Sequence, residues 1–221
     1  MDKELRDLIN QYQIDKVLPK DILTKVQLYT FQKDDIVVFA ENDPGDLSII
    51  VSGRCLVKPL GNEGQETILT YLYPGDLIGD IELFTKRSYL HFVYAQTKVQ
   101  LIKIPARYVT AELSDYVPFL HFVIDRTFDK LLNHSVYFSD TRLYGIKARV
   151  IKYILDVSER LQTYEIPFKY SSVVQFIGVS ERQLRRIIKS LEKEQLIEKT
   201  YMKLRILNNQ KLTNYIEKSD N

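Results

Sequence analysis

The stretch SSVVQFIGVSERQLRRIIKSLEKEQLI, residues 171–197, decides the reading of this 221-residue chain. Val173, Val174 and Ile177 give a short helix one apolar face, and Gly178 then allows a sharp turn. Ser180 followed by Gln183 three residues on has the form of a capping box and opens a second helix. In that helix Leu184, Ile187, Ile188 and Leu191 recur at the spacing of one buried face. Arg182, Arg185, Arg186 and Lys189 fall together on the opposite side. A short helix, a glycine turn and a capped basic helix predict a helix-turn-helix, whose second helix fits the major groove of DNA. Arginine suits such a face because its planar fork donates two hydrogen bonds to guanine O6 and N7. Read blandly, the same stretch is a helical hairpin with a solvated basic face, but glycine, cap and apolar set together favour the DNA reading.

Downstream, LIEKT (196–200) and KLRIL (203–207) flank Tyr201-Met202 as the two arms of a small hairpin. Lys199, Lys203 and Arg205 on those arms are placed to reach phosphates, as a wing does, adding affinity and orientation without reading bases. Charge supports this division. Residues 141–221 hold 16 Lys/Arg against 9 Asp/Glu, whereas the rest holds 15 against 20. A basic third on an acidic body predicts a polyanion partner for one part only.

Upstream the character differs. Six of the eight glycines lie between positions 45 and 79. Between them run LSIIV (47–51), CLVKPL (55–60) and ETILTYLY (66–73), with VQLIKI (99–104) beyond. Turn signals recur at DPG (43–45), SG (52–53), GNEG (61–64) and PGD (74–76). Short strands at regular turns predict an antiparallel sandwich or barrel over roughly residues 22–105, with GNEG as a hairpin turn.

After Pro105 the pattern becomes helical, with Pro118 suited to a first turn. Ile124, Phe128, Leu131, Ser135 and Phe138 follow at spacings of 4, 3, 4 and 3, a coiled-coil-like seam. Phe119, Leu120, Phe122, Val123 and Leu132 widen the apolar surface, and a helix apolar on two sides touches two partners. This predicts a dimerisation helix over 117–140. A further helix is expected at about 141–161, with Leu143, Ile146, Val150, Ile154, Val157 and Leu161 on one face. The expected organisation is an N-terminal helix and β-roll (1–116), the dimer helix (117–140) and a winged helix-turn-helix (141–221), an α+β fold.

In order and spacing the chain resembles the CRP/FNR family of transcription regulators. GDLIGDIELF (75–84), Gly178-Val179-Ser180, Arg186 and LEKEQLI (191–197) carry the likeness. GDIELF and GVSERQL resemble the YeiL-like branch in particular. The resemblance implies a bacterial, cytoplasmic homodimer that binds a palindromic operator in double-stranded DNA, and contacts RNA polymerase if it activates. Ser180, Glu181, Arg182, Gln183, Arg185, Arg186, Lys189, Lys199 and Lys203 then form the DNA-binding set. It also implies an effector pocket from Gly79, Asp80, Ile81, Glu82, Arg87, Ser88 and Tyr89, completed by His134 and Ser135 of the long helix.

The departures matter equally. Asp80 stands where cyclic-nucleotide-binding members carry a glutamate for the ribose. Counted back from Ala95, Tyr89 and Leu90 replace the Arg-Ser pair that holds the cyclic phosphate, and Arg87-Ser88 stands two residues early. A phosphate needs a positive partner at a fixed place, so cyclic AMP is not expected to bind. In the recognition helix, the family's usual glutamate is replaced by Arg182, and Glu181 lies one residue earlier.

One cysteine, Cys55, excludes an intrachain disulfide, a cysteine-ligated iron–sulfur cluster and a cysteine-rich zinc site. His91, His121 and His134 are the only histidines, and none stands in a haem-ligand setting. No apolar run reaches the ~20 residues of a membrane span, and MDKELRDLIN lacks a signal-like apolar core. Clustered metal ligands, a phosphate-binding glycine loop with lysine and a nucleophile elbow are all missing, which argues against an enzyme. The remaining alternative is a ligand-sensing β-roll whose helical C-terminal domain contacts protein.

Overall fold

The computed structural model describes residues 2–60, 68–143 and 145–217, with the backbone alone described for 133–143 and 217. Two compact units divide at 134/135. The expected GNEG turn and the side chains of His134, Ser135, Phe138 and Leu143 lie outside the described residues.

In the first unit, α1 (Lys3–Gln11) and α2 (Lys20–Leu23) precede eight strands. These are β1 (Gln27–Phe31), β2 (Ile36–Val38), β3 (Asp46–Ser52), β4 (Cys55–Pro59), β5 (Thr70–Leu72), β6 (Leu77–Ile78), β7 (His91–Ala95) and β8 (Val99–Pro105). A short helix, α3 (Asp80–Thr85), interrupts the series. The strands form two antiparallel four-stranded sheets, ordered β1-β8-β3-β6 and β2-β7-β4-β5. This is the sandwich expected from the sequence.

The run LSIIV is buried throughout, the polar Ser48 included, because β3 is covered on both faces. Leu47, Ile49 and Val51 join a core with Leu5 and Ile9 of α1, while Ile50 joins a second core with Cys55, Val57 and Val93. Alternation along the strand therefore assigns neighbouring apolar residues to different cores. Cys55 is fully buried, and burial pushes its thiol up to about 12, so it is an inert packing residue.

Next come a single turn, α4 (Ala106–Tyr108), a π-helical turn over Val109–Leu113, and the long α5 (Val117–Leu143). Phe119 and Val123 of α5 are buried in the core beneath β3. Ile124, Phe128, Leu131 and Leu132 remain 44–63% exposed. The helix is thus apolar on two sides, only one of which is covered by its own unit.

The second unit contains α6 (Ile146–Arg160), β9 (Glu165–Pro167), α7 (Tyr170–Ile177), α8 (Glu181–Lys193), β10 (Ile197–Lys199), β11 (Lys203–Ile206) and α9 (Asn209–Glu217). α5 continues to Leu143, and α6 begins at Ile146 behind Gly145, whose extended backbone forms its N-cap. Val150, Ile154 and Val157 of α6 pack with Val173, Leu184, Ile188 and Leu191 in one core.

Candidate functional site

Local sequence places the basic helix. Gly178 ends α7 at φ 70°, the left-handed region that glycine enters without a Cβ penalty. The Gln183 backbone N–H donates to Ser180 Oγ at 3.3 Å, and the Ser180 N–H donates to Gln183 Oε1 at 3.0 Å. This reciprocal box satisfies two helix-start donors. It also commits both polar side chains to the fold, so Ser180 and Gln183 hold α8 in place. Leu184, Ile187, Ile188 and Leu191 are buried beneath the helix.

The outer face separates into two groups. Arg185 donates from Nε and Nη2 to Glu181 Oε1 at 2.7 and 2.5 Å. Its guanidinium also lies 4.2 Å from the Tyr170 ring centre. Glu181 and Arg185 therefore compensate one another, and Tyr170 fixes the arginine from the start of α7. Arg182, Arg186 and Lys189 are exposed, and among the described residues no ion pair engages them. A cleft of about 660 Å³ opens along this face, lined by Tyr170, Glu181, Arg182, Arg185, Arg186 and Lys189.

The wing has three strands where the sequence showed two. Antiparallel β10 and β11 pair as expected, and β9 adds to the far edge with Arg205 opposite Glu165. Glu165 accepts from Lys203 at 2.5 Å and from Arg205 at 3.1 Å. Those two hydrogen bonds hold its carboxyl below the usual range. Lys203 and Arg205 are therefore paired cations rather than free ones. Lys199 turns back over the Phe168 and Tyr170 rings, at 5.4 and 5.6 Å, and donates to the Thr200 and Tyr201 carbonyls. Tyr201 at the tip is almost fully exposed.

Of the expected effector residues, Gly79, Asp80, Glu82 and Tyr89 lie near one another, whereas Ile81 and Arg87 face solvent. Gly79 has φ 90°, and a Cβ there would lie 2.8 Å from the Asp46 carbonyl oxygen, so the β6–α3 corner requires glycine. Tyr89 turns inward toward Gly79. Burial, with Glu82, Asp46 and Asp80 nearby, raises its hydroxyl far above the ordinary value. Burial likewise raises the Glu82 carboxyl, with Asp80 adding to the effect and Lys130 opposing it. Leu90 is 67% exposed. Ser88 Oγ donates to Asp43 Oδ1 at 2.7 Å. Asp80 is the one buried acid among the described residues, and it is already bound: Lys130 Nζ reaches it at 2.7 Å and Thr127 Oγ1 donates to it at 2.9 Å. Sequence reasoning missed Lys130 and Thr127, because their partner lies about fifty residues away in the chain. His121 is exposed, and His91 Nδ1 is buried without a hydrogen-bond partner among the described residues.

One unit is an antiparallel double-sheet roll, and the other holds a capped helix-turn-helix with a small antiparallel wing. Comparison with known proteins narrows this. Residues 29–116 match the family model described as the cyclic nucleotide-binding domain. Over 184 residues the chain is 24% identical to the cAMP-activated global transcriptional regulator CRP of Haemophilus influenzae, covering 79% of this chain and 81% of that protein. FixK2 from Bradyrhizobium japonicum superposes with a TM-score of 0.75 at 15% identity, over 86% of this chain and 96% of that one. A CRP/FNR-family transcriptional regulator from Thermus thermophilus gives 0.71 at 18% identity, over 86% and 98%. The chain has the fold of CRP/FNR-family regulators of known structure. These relatives and structural neighbours are regulators, not enzymes. Among the described residues no helix is long and apolar enough to cross a membrane.

Proposed function

We propose that this protein is a homodimeric, sequence-specific DNA-binding transcription regulator that works without cyclic AMP. The observation that carries the reading is the recognition-type helix α8: four apolar side chains are buried below, and Arg182, Arg186 and Lys189 stand exposed above with no ion pair among the described residues. Arg186 is the main anchor, and Arg182 supplies a donor where the family's glutamate supplies an acceptor. A glutamate accepts from cytosine N4, whereas an arginine donates to guanine. The half-site therefore differs from the family's common one at that base pair.

The exposed stripe Ile124, Phe128 and Leu131 is the dimer surface, continued in sequence by Ser135 and Phe138. Two-fold symmetry then makes the operator an imperfect palindrome with half-sites about one helical turn apart. The organisation proposed is a β-roll over 1–116, a dimer helix over 117–140 and a DNA-binding domain over 141–221, working in the cytoplasm with RNA polymerase as partner if it activates. The finer likeness to the YeiL-like branch rests on GDIELF and GVSERQL.

Selection of bound sequences from a random DNA pool tests the reading. Enrichment of a palindrome is expected. Arg182→Ala should relax preference at one base pair per half-site and cost about 1–3 kcal/mol there. Equal loss on every sequence would reduce Arg182 to a phosphate contact, and no enrichment with the native chain would overturn the function.

A further inference from the structure

Asp80 begins α3 directly after the Gly79 corner, and its side chain is 2% exposed. Both of its oxygens are satisfied by α5. Lys130 Nζ lies 2.7 Å from Oδ1 and from Oδ2, and Thr127 Oγ1 donates to Oδ2. Lys130 also donates to the Leu77 carbonyl at 3.2 Å, so one ammonium joins β6 to the start of α3. Thr127 and Lys130 are three residues apart and share one helix face. Phe128 and Leu131, their neighbours along the chain, are exposed.

A buried carboxylate needs a paired charge and hydrogen bonds to be tolerated. Here the chain's own helix supplies both. The surroundings offer little to an anion: Lys103 is 3.7 Å from Asp46, Arg126 lies over the Phe122 ring near Gly75, and Glu82 and Asp43 add negative charge. Arg87 points to solvent, and Ser88 is engaged with Asp43.

We propose that Lys130 and Thr127 act as a built-in ligand of this cradle, seating α5 on the β-roll without an effector and denying Asp80 to cyclic nucleotides. The inference goes beyond the DNA-binding reading and does not depend on it. Lys130 is a positioning residue, holding the inner face of the helix whose outer face carries Ile124, Phe128 and Leu131.

Hydrogen exchange on the full chain, combined with thermal shift, tests this without DNA. In Lys130→Met, which keeps the stem and removes the charge, exchange over 117–132 should accelerate roughly tenfold while β3 and β8 keep native protection. Thr127→Val should give the same pattern more weakly, and it guards against a Lys130 variant that fails to fold. Cyclic AMP and cyclic GMP at about 1 mM should leave the native melting temperature unchanged, since a ligand far above its Kd stabilises visibly. Uniform acceleration across the β-roll would reduce the pair to a general stabiliser and overturn the seating role, as would unchanged exchange in both variants. A thermal shift of the native chain with either nucleotide would overturn the exclusion.

Discussion

Glu165→Gln should tighten DNA binding and steepen its salt dependence, although Glu165 lies on β9, outside the recognition helix. In the native wing its carboxylate accepts from both Lys203 and Arg205. Arg205 has a second, longer partner in Glu198 at 3.6 Å. Glutamine keeps the size and a carbonyl acceptor but removes the charge that neutralises these two side chains, which are 63% and 57% exposed. Each cation that reaches a phosphate releases counterions, steepening the slope of log K against log salt by about 0.9. Lys203 alone would therefore steepen it by about 0.9, and both residues together by about 1.8. Because its two donors lower the Glu165 carboxyl, that carboxylate stays charged from neutral pH down past the usual carboxylate range. The difference between the proteins should hold across that interval and close only in stronger acid, where DNA binding is assayed with difficulty. Fluorescence anisotropy with one operator, from about 0.05 to 0.3 M salt, reads the slope directly. Unrelated sequences should gain as much as the operator, since phosphate contacts carry no sequence information. An unchanged slope would refute the argument by showing that the wing cations do not face the duplex.

Three other outcomes follow from the same structure. Phe128→Glu places a charge in the exposed stripe of α5 without disturbing the buried Phe119 and Val123, so sedimentation should show folded monomers with little operator affinity; an intact dimer would sink that interface. Ser180→Ala removes the side-chain acceptor for the Gln183 N–H and should destabilise the chain by about 1 kcal/mol in denaturant titrations. Glu82→Gln should raise the melting temperature near pH 7 and change little near pH 4. Burial raises the Glu82 carboxyl in the folded state, so the native protein loses stability from this group as pH rises through the unfolded value toward the folded one. An equal shift at both pH values would remove the charge from the explanation.

Local signals were legible in the sequence, and distant pairings were not. The Ser180–Gln183 box, the Gly178 turn and the buried face of α8 depend on residues within four positions of each other, so spacing alone was sufficient. The sandwich could be read from LSIIV and its turns, but the assignment of Leu47 and Ile50 to different cores required knowing that helices cover β3. β9 was invisible: Glu165–Pro167 is three residues long, ends in proline, and is a strand only because β11 presents an edge to it. The same limit governs function. Counting basic residues treats Arg182, Arg185, Lys203 and Arg205 alike. Folding brings Glu181 to Arg185 across one helical turn, and Glu165 to Lys203 and Arg205 across about forty residues. Carboxylates placed this way leave Arg182, Arg186 and Lys189 as the cations on the outer face of α8 with no ion pair among the described residues. On the β-roll side Lys130 takes Asp80, the one buried acid among the described residues. In one unit carboxylates hold cations and in the other a cation holds a carboxylate, so internal pairing as much as residue type decides which charges are left for a ligand.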